Sequence, residues 1–400
     1  MSAIRAGYKQ TEVGVIPQDW DATYLRDCCS KITDGTHDTP KPVSAGIPFL
    51  TAIHVKDNWI DYDSCLYLTE ADHEIIYKRC NPERNDVLMV NIGAGVATTA
   101  LVVVDYEFSL KNVALLKPHR RKVCGPYLNY ALGLRKTSIT KDLSSGGAQP
   151  FLSLTQIGGI LLQLPPTKAE QEAIAEVLSE TDALVESLEQ LLAKKCHLKQ
   201  ATMQELLTGK KRLPGFSENW EVVRLGDVAE IVMGQSPSSS NYNTKGVGLP
   251  LIQGNADIAN RKTIRRIYTT EAPKVGKCGD ILMSVRAPVG EISRAVFDVC
   301  LGRGVCAVRY ANDFMYHCLI SQEPSWAKLS KGSTFDSVNS VDVMALEISL
   351  PCDPTEQAAI ATILSDMDAE IAELEAQLTK TRSLKQGAMQ KLLTGEIRLL

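Results

Sequence analysis

A stretch of about fifty residues occurs twice, and that duplication restricts the fold more than any other feature. Leu164–Leu213 and Leu350–Leu399 align without a gap and agree at about half of their positions, a self-match that marks a chain built as two similar halves. Each copy opens on Leu-Pro, carries Glu170-Gln171 or Glu356-Gln357, and closes on Leu-Leu-Thr-Gly at Leu206–Gly209 or Leu392–Gly395. In the second copy Ile360, Leu364, Met367, Ile371, Leu374, Leu378 and Leu384 follow the three-four spacing of a coiled-coil seam. In the first, Ile174, Leu178, Val185, Leu188, Leu192 and Leu198 keep the seam, which Thr181 and Lys195 interrupt. Pro165-Pro166-Thr167 and Asp353-Pro354-Thr355 are start signals, and Gly209 and Gly395 stand where helices stop. A helix of about 40 residues is roughly 60 Å long. No small domain wraps that length, so each copy is expected to lie against the other in an intramolecular antiparallel pair; a dimerisation coiled coil is the plainer alternative.

The lead-ins repeat as well. Ile16-Pro17 to Trp20 and then Tyr24-Leu25-Arg26-Asp27 return as Leu213-Pro214, Asn219-Trp220 and Arg224-Leu225-Gly226-Asp227. Arg398-Leu399 corresponds to Arg212-Leu213, which runs straight into the second half, so the chain reads as a circle cut open before residue 1. Between the copies lie two regions of short apolar runs. In the first, Pro48–Val55, Asp86–Val90, Leu101–Val104 and Val113–Leu116 read as strands and Tyr127–Asp142 as a helix. The second repeats that order, with Gly248–Ile252, Gly279–Met283 and a late helix over Phe314–Leu329. Away from these points the two regions differ. The expected fold is α+β: similar mixed regions at 1–163 and 214–349, and two spacer helices at 164–213 and 350–400, pseudo-twofold symmetric.

Composition sets limits. A chain of 400 residues, 44% hydrophobic and 22% charged, has room for two or three domains. Its net charge of -4 provides no general basic field, so any nucleic-acid contact must be local. The eleven cysteines are scattered without paired C-x-x-C spacing, which suits reduced thiols in the cytoplasm better than zinc or disulfides. No stretch has the length of a membrane span or a secretory leader.

Two divergent regions, each followed by a near-identical Glu-Gln…Leu-Leu-Thr-Gly helix, resemble the specificity (S) subunit of type I restriction-modification systems over essentially the whole chain. The resemblance implies two target-recognition domains reading the halves of an asymmetric bipartite site in double-stranded DNA, with the helices setting the gap. It implies partners as well: two modification (M) subunits that methylate adenine, and restriction (R) subunits. S-adenosylmethionine, ATP and Mg are expected on those partners and no cofactor on this chain. The residues agree with a non-catalytic role. Pro165-Pro166 lacks the acidic or amide residue and the aromatic of an amino-methyltransferase loop, and neither Gly209-Lys210 nor Gly276-Lys277 completes a P-loop. A coiled-coil protein scaffold without base readout is the alternative function.

Base edges are read by polar side chains, while phosphate contacts position the protein. The first region offers the turn-rich Thr33–Lys41 segment, which resembles a D-G-T-H-x-T-P loop of the family, with Thr36, His37, Thr39 and Lys41 as candidates. Asn91, Lys111 and Gln149 complete its set. The second offers a Gly-Gln-Ser-Pro loop with Gln235, Ser236 and Ser238, then Tyr242 and Asn243, Gln253 and Asn255, and single arginines on glycine-rich turns at Arg286 and Arg303. Arg261, within a basic cluster with Lys262, Arg265 and Arg266, is a candidate for gripping phosphate. The run Lys117, Arg120, Arg121 and Lys122 is read in the same way.

Overall fold

The computed structural model describes residues 4–143, 150–332 and 338–399. Its contacts divide the chain into two units, Met1–Leu188 with Gln377–Leu400, and Glu189–Ala376. Each unit therefore holds one globular head and a part of each long helix.

In the first unit a four-stranded antiparallel sheet runs in the order Thr99–Leu101, Val87–Val90, Val113–Pro118, Cys29–Asp34. Alternate side chains of its central strands enter different cores, as the two-residue period of a strand requires. Val87, Met89, Ala114 and Leu116 face a helical layer with Tyr127, Leu128, Ile174 and Leu178. Leu88, Val90, Val113 and Leu115 face a core with Leu50, Phe108 and Leu110, beneath a smaller sheet in which Ser109–Lys111 runs parallel to Ile47–Thr51. The late helix spans Gly125–Leu143. The strand expected at Leu101–Val104 is instead Thr99–Leu101. A helix over Glu70–Arg79, capped by the Thr69 hydroxyl accepting from the Asp72 amide, was not anticipated; it buries only His73 and Ile76, too few for a periodic signal.

The second unit repeats the plan. Glu230–Met233, Val305–Arg309, Ile281–Ser284 and Ile292–Arg294 are neighbours in that order. Ile281, Met283, Cys306 and Val308 face the helical core, whereas Leu282, Val305 and Ala307 face the core under Ile252 and Leu301. The late helix here spans Phe314–Gly332.

The two repeated segments form helices Lys168–Leu206 and Pro354–Leu393. Thr167 caps the first, its hydroxyl accepting from the Glu170 amide at 3.2 Å. Asp353 caps the second, accepting from Thr355, with Pro354 at the first helical position, where its missing N–H costs nothing. Both stop on glycines in the left-handed region, Gly209 at φ 67° and Gly395 at φ 72°. The helices pack together antiparallel, the start of one beside the end of the other: Ile174 and Leu178 share a core with Leu392 and Leu393, and Ile360 and Leu364 share one with Met203 and Leu206.

The most repetitive residues explain themselves at these ends. Glu170, almost fully buried, is gripped by Arg398, which follows the second helix and reaches Asp19 at 2.9 and 3.0 Å. Glu356, fully buried, takes both nitrogens of an Arg212 fork at 2.7 Å, and Arg212 follows the first helix. The adjacent glutamines tie each helix to its own head. Gln171 accepts from the Cys124 amide and donates to the Lys122 carbonyl, while Gln357 accepts from the Tyr310 hydroxyl and the Asn312 amide. The two chain ends meet where Tyr8 donates to the Gly395 carbonyl at 2.9 Å, consistent with the circular reading.

Among the seam residues, Leu188 and Leu378 are buried as well, whereas Val185, Leu192, Met367, Ile371 and Leu374 are half-buried. Leu198 and Leu384 depart from expectation at 52% and 62% exposed. One residue further on, Lys199 and Lys385 turn inward, each against a carboxylate, Asp368 and Asp182 respectively.

His317 lies buried on the late helix of the second unit, its Nε2 3.0 Å from the Ser365 hydroxyl. Burial holds its pKa down to about 4 despite the opposing pull of Asp368. Between an unfolded value near 6.5 and about 4, the unfolded chain binds a proton that the folded chain refuses. Stability should therefore fall as pH drops through that window, and urea titrations of His317→Gln should show a flatter dependence there.

Candidate nucleic-acid interface

Strand register brings the candidate loops of each head to one end of its sheet. In the first head Asp34 pairs with Ala114 and Val90 with Val113, so the segments after Asp34 and after Val90 leave beside the Lys111-Asn112 corner. Thr36 bridges to Lys111, and the Thr36 amide donates to the Leu110 carbonyl at 2.8 Å. Only glycine fits at residue 35, because a Cβ would lie 2.0 Å from that same carbonyl oxygen. Lys111 donates to the Thr39 hydroxyl, and Lys41 stands exposed nearby in sequence. Thr36, His37, Thr39 and Lys111 thus belong to one loop corner, with Lys41 two residues beyond Thr39.

Two expectations shift within it. His37 is exposed, yet both ring nitrogens are occupied, Nδ1 at 2.9 Å from the Asn112 amide oxygen and Nε2 at 3.1 Å from Asp34. It acts as a post between loop and corner, and reading a base would break one of these contacts. Asn112, a sequence candidate beside Lys111, sits at a left-handed φ of 51° and holds His37; sequence reasoning missed Arg79, which pairs with Asp34 of the candidate loop from the unanticipated helix. Asn91, proposed as a reader, is only 3% exposed and its carbonyl accepts from the Leu152 amide, so Ala94 and Gly95 form the exposed tip instead. Gln149 lies outside the described residues.

In the second head the loops interlock through backbone. Met233 pairs with Cys306, Ser284 with Val305, and Ile252 with Leu301, so four loops emerge together. A Cβ at Gly234 would lie 2.1 Å from the Gly302 carbonyl oxygen, and one at Gly304 2.0 Å from that of Gln253. The Val285 amide donates to the Gly304 carbonyl, setting Arg286 beside the Arg303 turn, and the Arg303 amide donates to the Ser236 hydroxyl at 3.2 Å. Gln235, Gln253, Arg286 and Arg303 are all exposed. Gln253 donates to the Tyr242 hydroxyl at 3.0 Å, which pre-orients its amide. This juxtaposition of two amides and two guanidinium groups suits adenine and guanine edges.

Other candidates serve the loops themselves. Asn243 accepts from the Lys245 and Val247 amides and donates to the Val247 carbonyl, closing its own turn. Ser238 is exposed and bonds Ser240, while Asn255, half-buried, opens the short helical turn Asn255–Asp257. Arg261, the expected phosphate grip, is already engaged within the protein. Its fork is bidentate to Glu323 at 2.5 and 2.8 Å and also donates to the Ile292 carbonyl. Arg266 pairs with Asp257, and Arg265 stacks over Phe297. In the first head Lys117 and Arg120 are likewise taken up by Asp86 and Glu83.

The pattern for the type I restriction modification DNA specificity domain matches twice, at residues 17–194 and 217–381. The chain belongs to this specificity-subunit family. An MjaX type I restriction enzyme specificity subunit from Methanocaldococcus jannaschii is 31% identical, the alignment covering 98% of this chain and 97% of that protein. The MjaVIII specificity subunit of the same organism is 23% identical over 96% and 94% of the two chains. Among solved structures, a chain from a study of assembly and conformational transition of the type I R-M system is 25% identical, with a TM-score of 0.55 over 96% of this chain and 99% of that one. The S subunit of M. genitalium shares the fold at a TM-score of 0.67 and 14% identity, over 94% and 96%. The S subunit is the non-catalytic, DNA-selecting part of a type I complex, assembling with M and R subunits; S-adenosylmethionine and ATP belong to those partners. Among the described residues, no helix is long and apolar enough to cross a membrane and no group of side chains could hold a metal ion.

Proposed function

We propose that this S subunit reads an asymmetric bipartite site in double-stranded DNA, one half-site per head, with the antiparallel helix pair as the ruler for the gap. The observation that carries this reading is the contrast between matching strand orders and unlike loop ends: Thr36, Thr39, Lys41 and Lys111 on one head, Gln235, Gln253, Arg286 and Arg303 on the other. Recognition regions at 1–163 and 214–349, spacers at 164–213 and 350–400, two M subunits docked per S subunit, R subunits added to them and a cytoplasmic location complete the proposal. Half-site spacing then follows from protein geometry, as for other two-fold readers.

Exchange of residues 22–145 for the corresponding segment of another S subunit should change one half-site and leave the other and the gap alone, measured by sequencing methylated sites in the host. A change in both half-sites would defeat the modular reading. Addition of one heptad to each long helix should lengthen the gap with both half-sites kept. If the M–S complex bound scrambled DNA as well as methylatable DNA, the scaffold alternative would prevail.

A further inference from the structure

The repeat places one aspartate at the same position of each long helix, Asp182 and Asp368, and one lysine at the same position further along, Lys199 and Lys385. In the first unit the Asp182 carboxylate joins three segments. Its Oδ2 accepts from Asn58 Nδ2 at 2.6 Å, on the hairpin that links Val55–Lys56 to Trp59–Ile60, and from the Tyr130 hydroxyl at 2.7 Å, on the late helix of the head. Its Oδ1 receives the Lys385 ammonium from the second long helix. Asn58 is itself fixed: φ is 68°, its amide donates to the Thr99 carbonyl at 2.9 Å, and its side-chain oxygen accepts from Asn129. In the second unit Asp368 receives Lys199 in the same way, but the head answers with His317 at 3.8 Å, beyond hydrogen-bond length. The first joint is a closed network of charge-assisted bonds, and the second is looser.

We propose that Asp182 is a positioning residue that fixes the angle at which the first head meets the helix pair, and that Asp368 is its weaker counterpart for the second head, so that gap length is set at these joints as well as by helix length. This rests on the bipartite reading above. A charge-assisted bond between packed segments removes one rotational freedom that apolar packing of a head on a helix leaves soft. Neither aspartate lies at the loop ends, so the bases selected should not depend on them.

The test uses the full chain with its M partner and records methylated sites across a genome. For Asp182→Asn, both half-sites should stay as they are, while sites with the gap one base pair longer or shorter rise about tenfold relative to the parent, the scale of one lost bond to a charged group. Tyr130→Phe, which keeps the packing, should give the same spread in smaller degree, and Asp368→Asn a smaller spread than Asp182→Asn. A uniform drop in methylation at an unaltered gap in both Asp182→Asn and Tyr130→Phe would show a merely structural role and overturn the proposal. The heptad insertion separates the two ideas. If it moves the gap while Asp182→Asn does not broaden it, the joint is wrong and the ruler stands; if the insertion leaves the gap unchanged, both fall.

Discussion

Arg398→Met is expected to destabilise the unit holding both chain ends by about 3 to 5 kcal/mol, the cost of leaving a buried carboxylate without its cation. Glu170 is 2% exposed, at the first turn of its helix, and Arg398 is its one ion-pair partner among the described residues. Asp19 loses a partner in the same change; its carboxyl is held below the usual range mainly by the hydrogen bond from Arg398. Glu170→Gln combined with Arg398→Met should recover a large part of the loss, since a neutral amide tolerates burial better than an unpaired charge. Urea unfolding of the four chains of this cycle, followed by the fluorescence of the buried Trp20 beside the clamp, gives the coupling directly. If the single change costs less than about 1 kcal/mol, the clamp has no more weight than a surface pair.

Gly304→Ala should abolish recognition by the second head while sparing the first. The added methyl would lie 2.0 Å from the Gln253 carbonyl oxygen, against an ordinary contact of 3.4 Å or more, and the obstacle is backbone. The loops carrying Gln253 and Arg303 must part by over an ångström, well beyond the half-ångström tolerance of a productive site, and we expect affinity for the second half-site to fall about 100-fold. Titration of the M–S complex against duplexes with either half-site scrambled checks this. The parent distinguishes each scrambled duplex from the intact one; the variant should no longer sense scrambling of the second half-site. Thermal unfolding controls for loss of the fold. Gly304 illustrates why such positions are hard to recognise in advance: its φ is unexceptional, and only a close approach from a distant loop forbids a side chain.

The same contrast runs through the molecule. The long helices, their caps at Thr167 and Asp353 and their glycine stops were legible because each depends on residues within a few positions of one another. Leu198 and Leu384 misled, since a leucine one step off the inward row looks the same in sequence as one on it, and only the carboxylates of Asp368 and Asp182 explain why lysines turn in instead. For the interface, the loops were found and their members only partly sorted. Whether Arg261 is free depends on Glu323, sixty-two positions away, and whether Asn91 is exposed depends on Leu152 crossing over it. Such partners are set by tertiary contact and leave no local trace.

The clamps carry a consequence for how this chain changes over generations. Glu170 is answered by an arginine of the other copy, and Glu356 likewise. A substitution in either copy is thus felt across the pair, which penalises independent drift and keeps the copies alike. The loop-end bonds described above each lie within one head, so the loops can be replaced one head at a time. Inheritance of this kind conserves the frame and leaves the targets open to turnover.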